Sequence, residues 1–122
     1  MMPYERLDAW SRSHELVLLV YRVTQSWPKK ELYGLTSQTR RSAFSIPVNI
    51  SEGAAKKGSR EFRRFLDISL GSFSELTYCL RLANDLGYIA KADAESIEEL
   101  RSSVGRLIWR LYQAISRSAN RA

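Results

Sequence analysis

The sequence holds a single cysteine and a single histidine. Cys79 alone cannot build a disulfide framework within the chain. It stands between Tyr78 and Leu80 in an apolar pattern and reads as a small buried hydrophobe. With His14 as the only imidazole, a histidine-based metal cluster is excluded and a catalytic triad has no support. His14 falls on an apolar stripe, where a core or interface histidine is the expectation. Arg6 lies too far from it and Arg12 too near for the arginine–histidine spacing of helical ribonucleases.

Long apolar runs are also missing. The longest, LVLLVY from Leu16 to Tyr21, falls far short of the roughly 20 residues a membrane span requires. The opening MMPYERLDAW carries neither an apolar run nor a cleavage-type signal, so a cytoplasmic protein is expected. Three prolines and six glycines leave no linker or low-complexity tract. The 122 residues suit one domain, 1–122, large enough to bury a core without staples. GAAKKGS at 53–59 has the glycines and lysines of a phosphate loop in the wrong order, since Ser59 stands where lysine is needed. Glu52 and Glu75 sit among small or apolar neighbours, where partners for arginines are expected rather than catalytic acids. These absences point to a protein that is not an enzyme and needs no metal or cofactor.

Charge is plentiful, and it is unevenly placed. The net formal charge is +6. Residues 29–64 carry Lys29, Lys30, Arg40, Arg41, Lys56, Lys57, Arg60, Arg63 and Arg64 against Glu31, Glu52 and Glu61, so that segment accounts for all of it. After the last acid, Glu99, come Arg101, Arg106, Arg110, Arg117 and Arg121. Concentrated cations suit a polyanionic partner, and equally a solvated cationic face with no ligand.

Apolar residues recur with helical period in four segments, and none alternates with period two. The first helix is expected from about Leu7 to Ser26. It carries two stripes, Leu7–Trp10–His14–Val17–Tyr21–Thr24 and Leu16–Val20–Val23–Trp27, so it is apolar on more than one face. Pro28 ends it. The second starts near Leu35 and follows Leu35, Thr39, Ser42, Ile46 and Asn49 or Ile50 until Gly53 and KKGS stop it. The third starts with Ser59 as N-cap and Glu61 in its first turn. Phe62, Leu66, Ser69, Phe73, Leu76, Leu80 and Ala83 form its stripe, and Gly87 offers a left-handed cap. The fourth begins at Asp93, with Ile97, Leu100, Val104, Leu107, Leu111 and Ile115 inward. The fold class is therefore all-α, an antiparallel up-down-up-down four-helix bundle. Its expected core is Phe62, Leu66, Phe73, Leu76, Leu80, Leu100, Leu107 and Leu111.

RRSAFSIPVNISEG at 40–53 is unusual for a helix interior, because Pro47 removes a hydrogen bond and crowds the Ala43 carbonyl. A bend of the second helix is expected there. The small and hydroxylated residues around it suit close helix packing. A direct role in ligand binding is the other reading.

The longer stretch YGLTSQTRRSAFSIPVNISEG, residues 33–53, resembles a signature of the bacterial four-helix-bundle proteins encoded in 23S rRNA intervening sequences. The matching residues are Tyr33, Gly34, Leu35, Gln38, Arg40, Arg41, Ser45, Ile46, Pro47, Asn49, Ile50, Glu52 and Gly53. AW at 9–10, VY at 20–21, WPKKE at 27–31, EFRRFLDISLGSFSEL at 61–76 and LGYI at 86–89 are similar too. His14 and Trp27 depart from the usual residues. The resemblance implies a ring-like homopentamer and kinship to the accessory protein of diversity-generating retroelements. That relative is basic, binds nucleic acid and partners a reverse transcriptase.

The functional expectation is a nucleic-acid-binding accessory module, RNA or DNA, bound with little sequence preference through Arg40, Arg41, Lys56, Lys57, Arg60, Arg63 and Arg64. A scaffold that docks a partner protein such as a reverse transcriptase is the alternative. Surplus apolar surface on the first helix points to a homo-oligomer. Phe62 and Phe65 are assigned inward, so no aromatic interleaves with the cations, and phosphate contact rather than base stacking is expected.

Overall fold

Helices form where the periodicity places them. In a computed structural model describing residues 2–121, α1 is Asp8–Thr24, α2 Leu35–Ala54, α3 Ser59–Asp85 and α4 Lys91–Arg121. Short 3-10 turns at Pro3–Arg6 and Lys29–Glu31 precede α1 and α2. Among the described residues there is no strand. α1 and α3 each pack on both α2 and α4, so the four helices form the walls of a bundle around one core.

Each wall contributes aliphatic side chains at three- and four-residue steps. Leu16, Val20 and Val23 come from α1, Ala43, Ile46 and Ile50 from α2. Leu66, Leu76 and Leu80 come from α3, and Ile97, Val104 and Ile108 from α4. Of the expected core, Leu66, Leu76 and Leu80 are buried. Phe62, Phe73, Leu100, Leu107 and Leu111 are half-buried and pack along its margin. The inward line of α4 is thus rotated from Leu100–Leu107–Leu111 toward Val104 and Ile108. Its apolar stripe is wide enough for either line, and packing against α1 and α3 selects the centre.

The same choice arises on α1. The buried line is Ala9, Ser13, Leu16, Val20, Val23 and, beyond the helix end, Trp27. The rival line lies at the edge except for Thr24, which is buried with its hydroxyl donating to the Val20 carbonyl, and His14 on it is exposed rather than in the core, its ring stacked 5.3 Å from that of Trp10. Leaving imidazole nitrogens in water avoids a desolvation cost that the aliphatic line does not carry.

α2 continues without a break through Pro47, which is buried. The hydroxyls around it are spent on hydrogen bonds. Thr39 Oγ1 donates to the Leu35 carbonyl at 2.7 Å and Ser42 Oγ to that of Thr39 at 3.0 Å. Ser69 of α3 donates to the Ile46 carbonyl at 2.9 Å. Ser72 Oγ lies 2.7 Å from Ser45 Oγ, and Asn49 Nδ2 donates to the Ser45 carbonyl at 2.8 Å. Small side chains bring α3 close, and their hydroxyls donate to backbone carbonyls or, between Ser72 and Ser45, to each other instead of being buried unpaired.

The close approach is tightest at Gly53. A Cβ there would stand 2.8 Å from Phe62 Cδ1 and 2.9 Å from Phe65 Cβ. Phe65 Cβ moves only with its backbone, so Gly53→Ala is expected to cost about 1–3 kcal/mol by overpacking. Urea denaturation of the variant checks this. A neutral result would show that α3 is free to slide on α2.

The junctions follow local chemistry. Gly87, at φ 80°, follows α3, with Tyr88 N–H bonding the Ala83 carbonyl at 2.9 Å and Gly87 N–H that of Asn84 at 3.0 Å. This is the expected left-handed cap. The start of α3 differs from expectation: Gly58, at φ 92°, is the N-cap, and Ser59 is the first helical residue. The Ser59 hydroxyl reaches across the bundle to Ser118 Oγ at 2.8 Å instead. α4 starts at Lys91, slightly ahead of Asp93.

Candidate nucleic-acid interface

The seven cations singled out from the sequence do not form one patch. Arg40 and Arg41 lie early in α2, while Lys56 and Lys57 follow its end. At 1.5 Å per residue the two groups stand about 20 Å apart along the helix.

The larger group gathers where α2 hands over to α3. Lys56, Lys57, Arg60 and Arg64 are exposed, and Arg63 is half-buried. Arg63 Nη1 donates to Asn120 Oδ1 at 3.0 Å, and Ser59 meets Ser118. These two bonds hold the last turns of α4 against the first turn of α3. The exposed Arg117 and Arg121 therefore join the same end of the bundle. Sequence reasoning noted the arginines after Glu99 but did not place them in the site. The missing signal was how far α4 runs, since an antiparallel pair puts its end beside the start of α3 only if the helix continues to Arg121. Within the segments that carry these seven cations, 52–64 and 117–121, the acids are Glu52 and Glu61.

Glu61 is already engaged. It accepts from Arg64 Nη2 at 3.2 Å, and the hydrogen bond and charge of Arg64, with a smaller contribution from Lys56, hold its carboxyl below the usual range. Glu52 pairs with no arginine among the described residues, contrary to expectation. Glu75 accepts from the Gln38 amide at 3.5 Å rather than from an arginine. Phe65 is buried as expected, and cations cover its ring: Lys56 Nζ lies 5.4 Å and the Arg64 guanidinium 4.7 Å from the centroid. Its outer face is occupied, so Phe65 presents charge to solvent and no free aromatic surface.

The smaller group has different surroundings. Arg40 Nε donates to Thr24 Oγ1 at 2.8 Å, and its guanidinium lies 4.9 Å from the Tyr21 centroid. Tyr33 and Phe44 are exposed beside it. The expectation that no aromatic interleaves with the cations is corrected here. Phe44 follows Arg41 by three residues on the outward side of α2, off the line Leu35–Thr39–Ser42–Ile46 read from the sequence, and Tyr33 belongs to the turn before the helix.

With the geometry in view, the sequence can be compared with known proteins. A family model described as 23S rRNA-intervening sequence protein matches residues 5–110. The chain belongs to that family. Its fold is also similar to the crystal structure of a protein of unknown function from the S23 ribosomal protein family of Bacteroides thetaiotaomicron VPI-5482. The TM-score is 0.75 at 23% identity, over 85% of this chain and 97% of that one. No curated protein matches the sequence. The family match spans both cationic groups except Arg117 and Arg121, which lie beyond its end.

In this family member, no group of three or more His, Cys, Asp or Glu among the described residues could hold a metal ion. Cys79 is buried, which pushes its thiol above the usual range, partly offset by hydrogen bonds with Thr39 and Ser42. No helix among the described residues is long and apolar enough to cross a membrane.

Proposed function

We propose that this protein is a non-enzymatic, cytoplasmic nucleic-acid-binding accessory module that works as a homo-oligomeric ring. In this reading successive helices run in alternate directions and Pro47 bends α2. The observation that carries it is the gathering of Lys56, Lys57, Arg60, Arg63, Arg64, Arg117 and Arg121 at one end of the bundle. Flexible, exposed cations over a helical platform contact phosphates of any sequence. A ring repeats the patch in every subunit, and modest contacts then add as avidity. The family resemblance supplies the pentamer, and exposed Leu18 on α1 supplies apolar surface for subunit contact.

Two measurements test this. Sedimentation equilibrium at micromolar concentration is expected to give a species well above the 14.0 kDa of one chain. A salt titration is expected to show binding to RNA or DNA at about 50 mM salt that falls with a log–log slope of about −0.9 per duplex phosphate neutralised. A 14.0 kDa species overturns the ring. No binding at low salt overturns the nucleic-acid reading in favour of a scaffold for a protein partner, such as a reverse transcriptase.

A further inference from the structure

An open depression of about 500 Å³ lies on the other end of α2, lined by Tyr21, Leu32, Tyr33, Ser37, Arg40, Arg41 and Phe44. Three of these are aromatic and strongly exposed: Tyr33 at 93%, Phe44 at 55% and Tyr21 at 43%. A cluster of exposed rings beside cations is rare by chance on a soluble surface and marks a contact site. Among the described residues neither Arg40 nor Arg41 has a carboxylate partner. The nearest acid in sequence, Glu31, is occupied by the Tyr88 hydroxyl at 2.9 Å and the Leu35 N–H at 3.3 Å. Arg40 is held in place by Thr24 and by the Tyr21 ring, so its position is set before any ligand arrives.

These features select a ligand that is flat, apolar on its faces and anionic at its edge. We propose that this depression is a stacking site for unpaired bases of single-stranded nucleic acid, with Tyr33 and Phe44 taking base faces and Arg40 and Arg41 the flanking phosphates. The proposal rests on the nucleic-acid reading above and adds a preference for single strands. In a duplex the base faces are already stacked on their neighbours, so only an unpaired base can use the rings. The end of the bundle at Lys56–Arg64 then binds backbone of either form, and this depression adds affinity for single strands alone.

Fluorescence anisotropy tests it with three labelled probes: oligouridylate and oligodeoxythymidylate of about ten nucleotides, and an RNA duplex of about twenty base pairs. Changing Tyr33 and Phe44 together to Ala is expected to lower affinity for both single strands by about tenfold or more, since stacking does not require a 2′-hydroxyl. Duplex affinity is expected to stay within about twofold, because phosphate contacts remain. Tyr33→Ala alone, at a position too exposed to affect folding, is expected to show a smaller loss with the same selectivity. Unchanged single-strand affinity in either variant, with wild type binding all three probes, overturns the stacking site and leaves the phosphate reading standing. A wild type that binds no probe overturns both. If the double variant breaks the oligomer and loses duplex binding equally, the rings are a contact between copies of this chain, and the proposal fails.

Discussion

Replacing Arg60, Arg63 and Arg64 together by alanine is expected to weaken binding to RNA and DNA by between tenfold and about a thousandfold at ~50 mM salt. The upper figure follows from the counterion argument. Three neutralised duplex phosphates contribute about 2.7 to the salt slope, and that slope carried from about 1 M down to ~50 mM spans roughly three orders of magnitude. The lower figure reflects prior commitments: Arg64 shares its charge with Glu61, and Arg63 holds Asn120. The loss is expected to be equal for unrelated sequences, with a flatter slope. Arg60 and Arg64 are exposed, and giving up the Arg63–Asn120 bond costs about 1 kcal/mol, so the variant is expected to fold. Circular dichroism checks the folding and the salt titration checks the function. Unchanged affinity and slope in a folded variant would remove this end of the bundle from the site.

Leu66→Ala is expected to cost about 2–5 kcal/mol. Leu66 is fully buried and belongs to the cluster that joins all four helices. Truncation leaves a cavity that close-packed neighbours fill only in part. A domain of this kind holds about 5–15 kcal/mol in total, so the midpoint of urea denaturation should fall clearly at an unchanged slope. Leu107→Ala is the control. Leu107 is half-buried at the edge of the core, and its truncation is expected to cost about half as much. Equal costs would place the centre of α4 on the Leu100–Leu107–Leu111 line after all.

Most of the architecture was legible because helical periodicity is a local property. Phe62 to Ala83 repeats so regularly that α3 admits one reading, and Gly87 marks its end through a conformation that favours glycine. Charge asymmetry was legible for the same reason: counting needs no coordinates. The site was less legible. Placing Arg40 and Arg41 with Lys56–Arg64 assumed that neighbours in sequence are neighbours in space, and the rest of α2, about 20 Å of helix, separates them. Phe44 and Tyr33 were passed over because only Phe62 and Phe65, the aromatics next to the densest run of cations, were weighed.

The sequence by itself determined that the chain is helical, where its four helices lie to within a few residues, that its charge is basic, and which family it resembles. These follow from residue spacing, caps and composition, each acting over a few turns of backbone. Only the tertiary structure decided which of two apolar lines on α1 faces inward, and hence that His14 is exposed, and that Ile108 joins Ile97 and Val104 at the centre of α4 while Leu100, Leu107 and Leu111 lie at its margin. It also decided that α4 continues to Arg121 and is bonded through Ser118 and Asn120 to Ser59 and Arg63, uniting two cationic segments far apart in the chain. Side-chain packing between helices makes those choices, because a wide apolar stripe satisfies hydrophobic burial in several rotations and only the neighbouring helices select one.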